Sequence, residues 1–256
     1  MIIDSHAHLN DERLEPEAKR IVESFKDDNI DCCVIVGASL ESSKLALKQA
    51  IDLNQYALIG THPEDAREID DKVLDIYRKM AKDEHVLGIG EIGLDYHFED
   101  GEPRDVQLEA FEKQLKLSIE LEMPVVLHVR DAYNDAYNML KKYDKYLKNG
   151  ILLHCYSGSS EMVKQFNQFD CYYALGGAIT FKNAKKEDVI KTIPRNRLLL
   201  ETDCPYMAPT PFRGQTNEPK YINFVAKKIA EVLEIDVKEV ENITNENTRR
   251  LFKRLK

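Results

Sequence analysis

Residues 1–9 read MIIDSHAHL, and this stretch sets the frame for interpreting the rest of the chain. Its apolar start favours a β-strand, and two histidines spaced one residue apart follow at the end of that strand. Side chains two positions apart on an extended segment point to the same side, so His6 and His8 can present two imidazoles to one metal ion. Two solvent-exposed histidines near a terminus are the simpler alternative, and the choice depends on further ligands elsewhere.

Length and composition indicate a soluble globular protein. The chain has 256 residues, of which 43% are hydrophobic, and this length suits one large domain or two small ones. No stretch approaches the roughly 20 apolar residues that span a bilayer. The N-terminus also lacks the basic and apolar regions of a secretory signal. We therefore expect a cytoplasmic protein with no membrane partner.

The net charge bears on nucleic-acid binding, and the cysteine content bears on the redox state of the compartment. The formal net charge is −9, which argues against a broad surface for coating nucleic acid but not against a local site where metal ions supply positive charge. The five cysteines include no C-x-x-C pair, and their number is odd. We expect all of them to be reduced thiols.

Short apolar runs alternate with longer amphipathic stretches along the chain. Candidate strands lie at residues 1–5, 31–37, 56–60, 86–90, 124–128, 150–154, 171–176 and 197–201. Candidate helices include residues 16–28, 41–53, 105–121, 219–233 and 237–254. Eight such units predict an α/β fold of the (β/α)8 TIM-barrel type, with residues 1–256 as a single domain. A doubly wound open sheet is the alternative, but no glycine-rich phosphate loop follows the first strand.

A histidine, glutamate or aspartate recurs where the predicted strands end, which in barrels is the end where active sites assemble. The candidate metal ligands are His6, His8, Glu91, His128, His154 and Asp203. Six ligands are too many for one tetrahedral zinc site and suit two divalent ions that share a carboxylate. Glu91 is the best candidate for the bridge, because Gly90 and Gly93 beside it would let the backbone approach closely. The ligand types leave Zn, Mn, Mg, Co and Ni open.

Each candidate ligand also has a simpler structural interpretation. His154 alone could be a satisfied core histidine, and Glu91 could pair with a buried base. Asp203 could merely start a turn before Cys204 and Pro205. The joint interpretation is favoured because several unpaired charges at one barrel mouth would be costly without a cation.

The motifs together resemble the TatD family of metal-dependent deoxyribonucleases, within the amidohydrolase-like group of barrels, over essentially the whole chain. They are His6–His8, Gly60–Pro63, Gly90–Asp95, His128–Ala132, His154–Gly158, Glu201–Tyr206 and Arg213–Pro219. The resemblance implies that His6, His8, Glu91 and Asp203 hold one ion, while Glu91, His128 and His154 hold the other. His97 departs from the pattern, because a tyrosine or phenylalanine is expected after Tyr96.

The resemblance implies a 3′-to-5′ exonuclease that acts on single-stranded DNA, with RNA as a further substrate. The hypothesis is hydrolysis of a phosphodiester by water activated on two divalent ions (Mg, Mn or Zn), with Glu91 and Asp203 as catalytic residues and Asp203 as proton acceptor. His62, Arg130 and Arg213 are candidates for binding phosphate oxygens, and arginine suits this task through its planar, bidentate donors. For Arg130, an ion pair with Asp131 or a neighbouring acid is the alternative.

Two other functions stay open from the sequence. The same ligand set would serve a metal-dependent acyl hydrolase, such as a D-aminoacyl-tRNA deacylase or an amidohydrolase. A metal-binding scaffold without catalysis is the other alternative, although a complete ligand set disfavours it. No obligate protein partner is evident.

Overall fold

The computed structural model describes residues 1–256 and contains one sheet of eight parallel strands in chain order. The strands are β1 (Ile2–Ala7), β2 (Ile30–Val36), β3 (Tyr56–Ile59), β4 (Val86–Asp95), β5 (Val125–Arg130), β6 (Ile151–Leu153), β7 (Cys171–Leu175) and β8 (Leu198–Leu200). Each strand pairs in parallel with the next, as in a TIM barrel. The predicted fold class is confirmed.

Side-chain hydrogen bonds join β1 to β8 and the residues that follow it, and we call this junction the seam of the barrel. The Ser5 hydroxyl donates to the Leu200 carbonyl at 2.8 Å. The Asp4 carboxylate, buried at this seam, accepts hydrogen bonds from the backbone N–H and the hydroxyl of Thr202. Backbone bonds continue beyond β8, where Asp203 N–H donates to the His6 carbonyl at 2.9 Å. The seam therefore positions the segment after β8 directly against the histidines of β1.

Nine α-helices surround the strands. They are α1 (Ala18–Glu23), α2 (Leu40–Leu53), α3 (Asp71–Met80), α4 (Arg104–Glu120), α5 (Tyr133–Tyr143), α6 (Ser160–Phe166), α7 (Glu187–Thr192), α8 (Ile222–Leu233) and α9 (Val237–Leu251). Short 3-10 helices occupy Glu15–Glu17, Pro63–Glu68, Asp144–Tyr146, Gly177–Thr180, Arg195–Arg197 and Pro219–Tyr221. Judged by length and apolar content, none of the helices could cross a membrane.

The helix predicted at residues 16–28 is shorter than expected. Only α1 is α-helical there, and it is preceded by the 3-10 turn that contains Pro16. The Ser24 hydroxyl donates to the carbonyl of Ile21 and to the carboxylate of Asp28, which offers the backbone an alternative to the helical ladder. The last helix likewise ends at Leu251, three residues before the predicted end at 254.

Apolar side chains on the strands form two cores. The larger one lies between the sheet and the helices, and the smaller one comprises 14 buried residues, most of them from alternate positions of the strands. The C-terminal residues Leu251, Phe252 and Leu255 belong to this smaller core. The Arg254 guanidinium donates to the Val86 carbonyl at the start of β4 and to the Ala81 and Asp83 carbonyls just before it. The end of the chain thus closes the N-terminal face of the barrel and leaves the opposite face for function.

Replacing Phe252 with alanine should destabilise the fold by about 3–5 kcal/mol, because the ring is fully buried at the closed end of the barrel. Urea unfolding followed by circular dichroism measures this loss. The exposed neighbour Lys253, replaced with alanine, should change the free energy of unfolding by no more than about 0.5 kcal/mol. Equal stability of the two variants would contradict the assigned closure.

Candidate metal centre

The six candidate ligands meet at the C-terminal end of the barrel. They come from β1 and its exit, β4, β5, the residue after β6, and the loop after β8. All except the fully buried His6 line one cavity of about 610 Å³. The topology therefore collects in one place residues that are up to 197 positions apart, from His6 to Asp203.

Glu91 lies at the centre of this arrangement. Its Oε2 atom is 3.3 Å from His6 Nε2 and 3.6 Å from His8 Nε2. Its Oε1 atom is 2.7 Å from His154 Nε2 and 3.0 Å from His128 Nδ1. The two carboxylate oxygens thus face two separate pairs of imidazoles, as a bridge between two ions would require.

A β-bulge in β4 carries Glu91 to this position. Ile89 pairs with Val125 and Ile92 with Leu127, so β4 has one residue more than β5 between these pairs. A Cβ atom on Gly90 would lie 2.7 Å from the Cβ of Val126, so this close packing admits only glycine. The strand then continues to Asp95, so Glu91 lies inside β4 and not at its end as predicted.

Asp203 completes the first group of ligands. Its Oδ1 atom is 3.5 Å from His8 Nε2 and 3.9 Å from His6 Nε2. Ligand atoms of His6, His8 and Asp203 all lie within 4.8 Å of one another. The same holds for His6, Glu91 and His154, a set that draws on both groups, and for His62, Glu91 and His128. This spacing suits ligands arranged around a small cation.

The chemistry of the centre fits divalent cations. Both ring nitrogens of His6 and the Nδ1 atom of His154 are buried without a hydrogen-bond partner. Burial works against charge here, yet nearby carboxylates raise the pKa of His8, His128 and His154, so the surroundings favour positive charge. Burial also opposes ionisation of Glu91, but the imidazoles around it hold its pKa well below the usual range.

On the side of two imidazoles that faces away from the centre, a hydrogen bond decides which ring nitrogen is free to bind an ion. His8 Nδ1 is 3.2 Å from the Val36 carbonyl, which only accepts, so His8 presents the Nε2 lone pair. His128 Nε2 is 2.9 Å from Asp95 Oδ2, so this ring presents Nδ1 instead. Carboxylates and carbonyls behind imidazole ligands fix the tautomer and the ring orientation in metal sites.

Asp95 is a site residue for which the sequence analysis gave no role. It lies four residues after Glu91 on the same strand, and this even spacing could have indicated a shared face. The Gln107 side chain holds the Asp95 backbone in place through two hydrogen bonds of 2.8 Å. Asp95 is therefore a rigid support for His128.

His62 also faces the centre, with its Nε2 atom 3.7 Å from Glu91 Oε1. Its Nδ1 atom accepts a hydrogen bond from the Glu64 backbone N–H at 3.2 Å. Burial lowers the pKa of His62 to about 4, so the ring is neutral at pH 7 and carries its proton on Nε2. His62 thus offers the cavity an N–H donor, which suits the predicted contact with a phosphate oxygen.

The two predicted phosphate-binding arginines have different surroundings. Arg130 lines the cavity, and its guanidinium lies 5.2 Å from the centre of the Phe98 ring. No carboxylate is within ion-pair distance of Arg130, because Asp131 pairs with His97 instead. Arg213 is exposed, stacks on Phe181 at 4.6 Å and does not line the cavity.

Exposed apolar side chains at the cavity were not identified from the sequence. Phe98, Tyr206 and Met207 all line it while remaining 44–49% exposed. Tyr96 and Tyr156, which the sequence places at strand ends, donate their hydroxyls to Asp135 and to the Ser159 carbonyl. The half-exposed rings are therefore those of Phe98 and Tyr206, and no spacing rule marks them.

The cysteines do not add to the chemistry of the centre. All five are free, and Cys155 alone lines the cavity. Burial and the neighbouring carboxylates raise the pKa of the Cys155 thiol well above its usual range. It is therefore protonated at neutral pH and is a poor nucleophile.

Comparison with known proteins identifies the family of the chain. Residues 3–253 match the family described as TatD related DNase. The chain is 40% identical over 255 residues to the uncharacterized metal-dependent hydrolase YabD of Bacillus subtilis, covering 99% of both chains. It is 30% identical over 260 residues to YcfH of Escherichia coli, also an uncharacterized metal-dependent hydrolase, covering 98% and 95% of the two chains.

Solved structures give the same result for the fold. The crystal structure of YjjV, a TatD homolog from Escherichia coli, superposes with a TM-score of 0.90 at 29% identity and 98% coverage of both chains. A TatD-family hydrolase from Entamoeba histolytica has the same fold, with a TM-score of 0.88 at 21% identity and coverage of 98% and 97%.

The fold and the relatives together define the class of protein, which is a metal-dependent hydrolase built on an eight-stranded α/β barrel. Within that class, the chain belongs to the TatD-related DNase family.

Proposed function

We propose that the protein hydrolyses phosphodiester bonds in nucleic acid with two divalent ions held by the six candidate ligands. The observation that carries this proposal is the position of Glu91, whose two oxygens face two separate groups of ligands. His6, His8 and Asp203 complete the first group, and His128 and His154 complete the second. Two adjacent ions are the arrangement that phosphatases and nucleases use for in-line displacement at phosphorus.

Ions bound there would lower the pKa of a coordinated water and neutralise charge on phosphoryl oxygens. Asp203 lines the cavity beside this position. Burial opposes its ionisation, but the hydrogen bond from His8 and the charges of nearby imidazoles lower its pKa. Asp203 is therefore an ionised carboxylate that can accept the proton of the attacking water.

His62 and Arg130 supply donors for the substrate. The Nε2–H of His62 points into the cavity near the second group of ligands, where a phosphate oxygen can accept it. The Arg130 guanidinium has no competing carboxylate, so its planar donors are free for a phosphate. Arg213 stays a prediction as a further phosphate contact outside the cavity lining.

The cavity has room for the end of a single strand. Its volume of about 610 Å³ is that of a small-molecule site. Phe98 and Tyr206 are half-exposed at the cavity, where aromatic rings can stack on unpaired bases without regard to sequence. Together with the family resemblance, these features support 3′-to-5′ exonuclease action on single-stranded DNA.

Replacing Arg130 with alanine should raise KM for an oligonucleotide about tenfold to a hundredfold, because a charged hydrogen bond to phosphate is lost. Metal content should not change, since Arg130 contacts none of the ligands. Arg249 on α9, which pairs with Asp31 on β2, provides the matched control, and its alanine variant should keep the wild-type KM. An unchanged KM in the Arg130 variant would contradict the phosphate contact.

The function is tested by product analysis. Single-stranded DNA labelled at either end is incubated with purified protein and Mg²⁺, Mn²⁺ or Zn²⁺, with chelator and with the Glu91→Ala variant as controls. We expect stepwise shortening from the 3′ end that both controls abolish. Release of an amino acid from aminoacyl-tRNA, with all oligonucleotides left intact, would contradict the proposal and support the acyl-hydrolase alternative.

A further inference from the structure

The His154 ring has no acceptor behind it, in contrast to two other imidazoles of the centre. The ring nitrogen that faces away from the ligands lies against Val36 in His8 and against Asp95 in His128. In His154 the corresponding atom is Nδ1, which is buried and has no hydrogen-bond partner. The nearest carboxylate oxygen is Glu201 Oε1, at 3.7 Å.

Glu201 is itself a fully buried carboxylate with an unsatisfied oxygen. Its side chain is 0% exposed, and its Oε2 atom has no hydrogen-bond partner. Leaving such an oxygen unpaired in the interior is costly unless a donor or a cation is close. The two unpartnered groups, a ring nitrogen and a carboxylate, therefore lie next to each other in the same buried region.

Which ring nitrogen of His154 carries the proton decides whether this ring can donate a hydrogen bond to Glu201. In the structure, His154 Nε2 is 2.7 Å from Glu91 Oε1, so Nε2 carries the proton that this contact requires. An imidazole that gives its Nε2 lone pair to an ion must carry its proton on Nδ1 instead. That proton points towards Glu201, and a shift of less than about 1 Å brings the two atoms to hydrogen-bond distance.

We propose that Glu201 is a positioning residue that accepts the Nδ1–H of His154 and so presents Nε2 to the second ion. A carboxylate behind an imidazole ligand fixes its tautomer and raises its basicity. This inference rests on the proposed two-ion centre. It assigns to Glu201 a role for the second ion, because His154 is the candidate ligand within ion-pair distance of the Glu201 carboxylate.

Glu201 also accepts a hydrogen bond of 2.6 Å from the Cys155 backbone N–H. If the role of Glu201 were purely structural, it would only stabilise the turn at Cys155, a residue with a φ of +40°. Glu201→Gln separates the two roles, because an amide oxygen still accepts from Cys155 while the negative charge behind His154 is lost. The measurement must therefore be ion affinity in addition to activity.

The experiment is calorimetric titration of metal-free wild type, Glu201→Gln and Glu201→Ala with Zn²⁺ and Mn²⁺. We expect the affinity for the second ion to fall about tenfold to a hundredfold in Glu201→Gln, with the first ion unaffected. Glu241→Gln, which alters a buried glutamate that pairs with Lys238 away from the centre, is the control and should bind both ions like wild type.

The outcomes separate this inference from the proposed function. Wild-type affinities for both ions in Glu201→Gln would overturn the positioning role, even if Glu201→Ala fails to fold. Equal loss of both ions would also overturn it, because the effect would not be specific to His154. If wild type binds only one ion, the two-ion centre itself is wrong, whatever Glu201 does.

Discussion

Glu91→Ala should lower kcat by more than about a hundredfold, which is beyond the usual effect of removing an outer support of a metal ligand. The Glu91 carboxylate contacts all four imidazoles, through distances of 2.7–3.6 Å. Without it, each group of ligands loses one member, and nothing remains to hold two ions side by side. Steady-state kinetics with single-stranded DNA measure the loss.

The matched control for Glu91→Ala is Glu64→Ala, because Glu64 also lines the cavity but is exposed on one side and belongs to neither group. It should keep kcat within a few-fold of wild type. Glu91→Gln preserves the volume of the side chain and tests whether charge, not packing, is responsible. A folded Glu91→Ala protein with full activity would contradict the assigned bridge.

Asp203→Asn should also lower kcat by about a hundredfold or more, which is the typical contribution of a positioned general base. Asparagine keeps the shape of the side chain, and the backbone bond from residue 203 to the His6 carbonyl does not depend on it. The variant cannot take up the proton of the attacking water, and it is a weaker ligand for the first ion. The second group does not include Asp203, so its ion should still bind.

Added metal distinguishes the two roles of Asp203. If loss of the ion were the whole effect, raising Mn²⁺ would restore kcat of Asp203→Asn. We expect only partial rescue, because saturating the site does not replace the proton acceptor. Full rescue would show that Asp203 is a ligand without a role in proton transfer.

Apolar patterning made the barrel predictable. All eight strand positions inferred from the sequence coincide with observed strands, because strands buried on both faces carry runs of valine, isoleucine and leucine. The length of α1 was less predictable, because the side chain of Ser24 offers the backbone another hydrogen-bond partner in place of the helical one. The length of β4 was also underestimated, because the bulge at Gly90 and Glu91 interrupts an otherwise regular strand.

Residue type and position at the ends of the predicted strands indicated the six candidate ligands, and the structure brings all six together. Their roles as ligands remain a prediction. The carboxylates of Asp95 and Glu201 were not accessible from the sequence as neighbours of these ligands. Only the folded barrel brings them to 2.9 Å from His128 and 3.7 Å from His154. The same is true of Phe98, whose proximity to Arg130 depends on the path of the loop after β4.

The division of the ligands by Glu91 is the central claim, and metal titration of single-ligand variants tests it most directly. Wild type should bind two ions, and His8→Ala should lose the first while the second keeps its affinity. His128→Ala should show the reverse, and Glu91→Ala should weaken both. Simultaneous loss of both ions in His8→Ala and in His128→Ala would contradict the account.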